Sequence, residues 1–99
     1  MDIDEAVEKW TVELVGYLKA MRGFEKSRDT YEILCSLSAM SARASYFRNR
    51  SFQANHPKLN RLRLDVIDPF LEEVERQFKI WSRVQTVNQH EYTLASGGA

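Results

Sequence analysis

The chain has 99 residues, 43% of them hydrophobic and 28% charged, and its 14 basic and 14 acidic side chains give a formal net charge of zero. That composition is of a globular chain and not a disordered or membrane one, and the length is that of one domain able to bury about two-thirds of the surface exposed by its unfolded form. A single cysteine, Cys35, excludes an internal disulfide framework, and no apolar run approaches the roughly 20 residues needed to cross a bilayer. The first five residues, Met1-Asp2-Ile3-Asp4-Glu5, are acidic where a secretory leader would be basic. Together with the lone cysteine, they point to a reducing, cytoplasmic setting.

The first segment carries the clearest periodicity. Ile3, Val7, Trp10, Leu14, Tyr17, Met21 and Phe24 recur at spacings of 4, 3, 4, 3, 4 and 3, which predicts an amphipathic helix with a narrow seam, widened by Val15 and Leu18. Asp2 followed by Glu5 has the form of a capping box, and Gly23 marks the helix end. Gly16 and Ala20, four apart, would allow another helix to come close.

A polar connector leads to Asp29, an N-cap with Glu32 three residues on, and a second helix is predicted from about Thr30 to about Arg50. Its apolar set is Ile33, Leu37, Met40, Ala44 and Phe47. The small residues of Ser36-Leu37-Ser38-Ala39-Met40-Ser41-Ala42 suggest a central helix packed on two sides, with Cys35 as a small buried hydrophobe. The segment Ser51 to Pro57 reads as the break, with Asn55 or His56 capping a third helix and Pro57 in its first turn. Leu64, Ile67, Leu71, Val74, Phe78 and Trp81 then hold one helical phase through Asp68-Pro69. Two readings fit: one helix kinked at Pro69, or two helices at a small angle with Asp68 as the second cap, the latter preferred. The expected fold is all-α, an antiparallel bundle of three to four helices over residues 1–87, with a flexible C-terminal tail at 88–99.

Charge is distributed unevenly along this pattern. Residues 1–24 sum to −2, 25–42 to −1, 43–63 to +6, 64–85 to −2 and the remainder to −1. The positive block is Arg43, Arg48, Arg50, Lys58, Arg61 and Arg63, interleaved with Tyr46, Phe47 and Phe52. Cations alternating with aromatic rings form the usual footprint of a phosphate-binding face, the cations gripping backbone charge and Tyr46 or Phe52 stacking on an unpaired base. Phe47 continues the core phase of the second helix. The plain alternative is that these charges solvate helix surfaces.

A short, all-helical, single-cysteine chain with a basic face and acidic flanks resembles the small subunit of CRISPR effector (Cascade-like) ribonucleoprotein complexes. The resemblance rests on helix and charge pattern over residues 1–87 and on no motif. It implies a non-catalytic, nucleic-acid-binding subunit that holds a strand through Arg43, Arg48, Arg50, Lys58, Arg61 and Arg63, with other protein subunits or copies of itself as partners. Arg50 and His56, five residues between them, also resemble the Arg-x(4-6)-His signature of HEPN ribonucleases. Ser51 departs from the polar amide, acid or imidazole expected after that arginine. No other catalytic motif occurs, the two histidines stand alone, and neither a metal nor a cofactor is expected. The rival class is a protein-interaction module, either a homodimer or a dock for an acidic partner, with the apolar seams as its surface and Trp10 and Trp81 as anchors.

Overall fold

Each helical arm begins where the sequence supplies an acceptor for backbone N–H groups that have no intrahelical partner. Asp2, at extended angles, accepts from the Glu5 N–H at 3.0 Å and opens α1 (Ile3–Arg22). Asp29 accepts from the Glu32 N–H at 3.1 Å and opens α2 (Thr30–Ala54). His56 accepts through Nδ1 from the Lys58 N–H at 3.2 Å, and Pro57 is the first residue of α3 (Pro57–Leu62). A 3₁₀ turn, Phe24–Lys26, follows α1; a π turn, Arg63–Ile67, joins α3 to α4 (Asp68–Gly97). The structure, a computed structural model, describes residues 1–27 and 29–97, with side chains described through Val87, and none of these residues forms a strand.

Side-chain pairs give the helix directions. Trp10 meets Phe47 and Glu13 meets Arg43, positions that rise on α1 as they fall on α2, so these helices are antiparallel. Asp4 meets Lys58, Tyr17 meets Phe70 and Phe24 meets Trp81, so α1 runs parallel to the third arm. The up-down-up bundle closes over Leu14, Leu37, Phe47, Leu59, Ile67 and Val74, all fully buried. The contact between α2 and α4 is the most extensive of the helix pairs, and the fully buried Ala44 lets the α2 backbone come close to its neighbours. No helix among the described residues is long and apolar enough to cross a membrane.

Several expectations are corrected. The helix expected to stop near Arg50 runs to Ala54, because Ser51 is itself buried and nothing from Ser51 to Ala54 breaks a helix. It ends at Asn55, which adopts left-handed angles (φ 45, ψ 47) and donates its N–H to the Ser51 carbonyl at 3.1 Å. Asparagine tolerates that conformation because its short polar side chain can bond locally, and Asn60 Nδ2 donates to its Oδ1 at 3.3 Å. The break thus shrinks to Asn55 and His56.

Asp68 is not the N-cap of a new helix: its angles are right-handed helical, and its N–H reaches the Arg63 carbonyl five residues back. The third arm is therefore one rod, with a widened turn ahead of Pro69 where an ordinary turn would have met the proline ring. That turn also resets the phase. The buried positions run Leu59, Leu62, Ile67, Phe70, Val74, with a five-residue step across the turn, and Leu64 is turned outward at 62% exposure. Leu59, Leu62 and Phe70 enter the core unforeseen by the uninterrupted spacing.

Cys35 is exposed, as are Ser36, Ser38, Ala39 and Ala42, so the small-residue run is largely a solvent face of α2. Val15 and Leu18 lie outside the core. Gly16 faces open space and receives no helix. The backbone of α4 continues helical to Gly97; the tail expected at 88–99 falls on side chains outside the described residues.

Two stability outcomes follow from these placements. Phe47→Ala removes a ring stacked on Trp10 at a centroid distance of 4.8 Å and should cost about 3–5 kcal/mol in urea unfolding. Gly16→Ala adds a methyl group where nothing is within 4 Å and should stabilise by about 0.5–1 kcal/mol.

Candidate functional site

Most of the basic block lies where the N-terminus of α1, the C-terminus of α2 and α3 meet, while Arg43 sits near the middle of α2, opposite Glu13 in the middle of α1. On a helix, residues seven apart share a flank, so Arg43 and Arg50 lie together, on the side of α2 that faces α1. Arg43 Nε donates to Glu13 Oε2 at 2.7 Å and Nη2 to Oε1 at 3.4 Å. Its guanidinium also lies over the rings of Phe47 and Tyr46, at 4.7 and 5.3 Å. Arg48, on the opposite flank, donates to Asp68 at 3.0 Å. Lys58 donates to Asp4 at 2.6 Å, and Arg61 to Asp65 at 2.7 Å.

Among the described residues Arg50 and Arg63 have only neutral partners. Arg50 donates to Gln53 at 3.2 Å. Arg63 donates to Ser51 Oγ at 3.1 Å and to Asn60 Oδ1 at 2.9 Å, with its guanidinium 3.8 Å from the Phe52 ring centroid. Arg48 lies over the same ring at 5.1 Å. Phe52, half exposed, is thus claimed by two arginines. The buried Ser51 hydroxyl donates to the Arg48 carbonyl at 2.7 Å while accepting from Arg63.

The structure therefore does not aim the six cations at one surface. Four meet carboxylates of the same chain, and the pairs diverge to the two flanks of α2 and to α3. Glu13 feels opposing effects. Burial alone would raise its pKa, but the hydrogen bonds from Arg43 and Tyr17 outweigh burial and hold the carboxyl below its ordinary value. The Tyr17 hydroxyl, partly buried and donating to Glu13 at 2.6 Å, is raised. The Lys58 hydrogen bond lowers the exposed Asp4.

His56 is occupied as the cap of α3, its Nδ1 accepting from the backbone, and Arg50 points its bond at Gln53, so no described contact joins the two into a ribonuclease-like pair. Among the described residues no group of three His, Cys, Asp or Glu side chains could hold a metal ion. Of the expected anchors, Trp10 is buried against Phe47, and Trp81 is half-buried against Phe24 with its indole N–H donating to Gln77 at 3.0 Å. Trp81 also lines a groove of about 500 Å³ between α1 and α4, beside Leu18, Met21, Ile80 and the charged Arg22, Glu25, Glu73 and Arg76.

The surface not foreseen is the outer face of α2. Tyr31, Cys35, Ser38, Ala42 and Tyr46 are exposed along it, and no charged residue occurs from Ile33 to Ala42. The sequence carries the signal as that charge gap, whose small residues fit a close-packed core face equally well. No protein-family profile, curated protein or solved structure matches this chain.

Acid titration of unfolding checks the Glu13 geometry. A carboxyl held below its ordinary pKa contributes stability above about pH 4.3, the unfolded glutamate value, and loses it as pH falls through the lower folded value. Glu13→Gln should remove that part of the acid dependence, and because the pair is partly exposed it should cost no more than about 1 kcal/mol at neutral pH.

Proposed function

We propose that this chain is a non-catalytic helical interaction module whose working surface is the outer face of α2. One observation carries the reading: from Ile33 to Ala42 the exposed side of α2 carries no charge and is built of small residues, with Tyr31 and Tyr46 exposed beyond its two ends. Long charged side chains usually cover an exposed helix face in a chain that stays alone. Small ones leave the backbone open to close approach, and tyrosine is enriched where proteins meet. The charge pairing supports the same reading from the other side. Arg43, Arg48, Lys58 and Arg61 are used within the fold, where they tie the arms to one another or brace α3.

A second reading is favoured by a separate observation: Arg50 and Arg63 have no carboxylate partner among the described contacts. The four ion pairs nearby are exposed and therefore weak enough for a polyanion to displace. On that reading the chain is a nucleic-acid-binding subunit of a ribonucleoprotein assembly, as the resemblance to CRISPR small subunits implies.

A gel-shift titration at low and moderate salt separates the two. The interaction module is expected to leave single- and double-stranded DNA and RNA unretarded at low salt. Retardation that falls with a log–log salt slope of roughly −3 to −5, and that Arg50→Glu with Arg63→Glu abolishes, would overturn it in favour of the second reading.

A further inference from the structure

The pattern of the α2 face identifies what it receives. We propose that the partner is a second copy of this chain, its α2 antiparallel to the first about a two-fold axis between Ser38 and Ala39. The inference rests on the assignment of this face as the working surface.

The face is self-complementary under that operation. Reversing α2 about the point between residues 38 and 39 brings Tyr31 against Tyr46 of the second copy, Cys35 against its Ala42, and Ser38 against its Ala39. Each match joins two exposed residues. The bulky groups fall at the two ends and the small ones in the middle, so the helix axes can approach within the 8–10 Å of ordinary helix packing, toward its lower limit.

Charge fixes the direction. Glu32 and Arg43 are both exposed and eleven residues apart, about three turns, and so lie on the same flank of α2. Antiparallel pairing sets Glu32 of each copy beside Arg43 of the other, giving an attractive pair at both ends. Parallel pairing would carry the flank of the second copy to the opposite side of the contact, leaving both Glu32 and both Arg43 without a partner across it. Arg43 already holds Glu13, and its five-donor guanidinium has capacity for a second carboxylate. The interface is isologous and closes on two copies, so it gives a dimer and not a filament.

Cysteine chemistry tests the geometry. Ala42→Cys places a thiol opposite the second copy's Cys35, and mild oxidation should convert most of the protein to a covalent dimer on a non-reducing gel. Wild type should give none, because the two-fold separates its two Cys35 residues by seven positions, about 10 Å along the axis, beyond disulfide reach. The Cys35→Ser, Ala42→Cys double variant should give none for the same reason. In sedimentation equilibrium the wild type should be dimeric, and Ala39→Glu, which buries a charge in the contact, should weaken association at least about tenfold with unchanged helical circular dichroism.

Cross-linking of wild type through Cys35 alone would overturn the antiparallel arrangement. A wild type that sediments as a monomer at high micromolar concentration would overturn the dimer. The monomer result leaves the interaction reading itself to the gel-shift experiment, so the two failures are distinguishable.

Discussion

The structure depends on the position of Phe47. This ring is fully buried, stacks on Trp10 of α1, and carries the Arg43 guanidinium on its edge of the core. It fixes how α1 and α2 are rotated against each other, and that rotation brings Arg43 to Glu13. Once those two helices are set, the third arm lies in the groove they leave, with α1 parallel to it. Arg48, Lys58 and Arg61 then meet carboxylates contributed by other turns of the bundle. A stretch that is strongly basic in one dimension becomes nearly balanced in three.

The helix pattern was legible in the sequence because capping and periodicity are local. Asp2 and Asp29 act as caps where the spacing placed them, and the seam from Ile3 to Phe24 turns inward as its repeat requires. The third arm was legible only in part. A π turn holds an extra residue without any composition signal of its own, so a phase carried unbroken through Leu64 put that side chain inside when it belongs outside, and left out Leu59, Leu62 and Phe70. Pro69 was the visible cause, yet the adjustment occurs in the turn before it and not at an Asp68 cap.

The candidate site was harder to read for a physical reason. Charge summed along a window counts cations and misses the anions that fold onto them. Glu13 lies 30 residues from Arg43, and Asp4 lies 54 residues from Lys58. Small residues were ambiguous in the opposite sense: a run of Ser, Ala and Cys allows close packing inside a protomer or between protomers. Here Ala44 serves the first purpose. In the proposed pairing Cys35, Ser38 and Ala42 serve the second. The charge gap between Glu32 and Arg43 marks the boundary of that face more sharply than any hydrophobic repeat does.

The account places the working surface on the outside of α2 and treats the basic end as part of the scaffold. Amide spectra of ¹⁵N-labelled protein followed through dilution address this most directly, because each backbone N–H reports its own surroundings. The account predicts shift changes concentrated on α2 between Tyr31 and Asn49, with Arg61, Arg63 and their neighbours unmoved. Spectra that do not change with concentration along α2, but respond at Arg50 and Arg63 when an oligonucleotide is added, would contradict it.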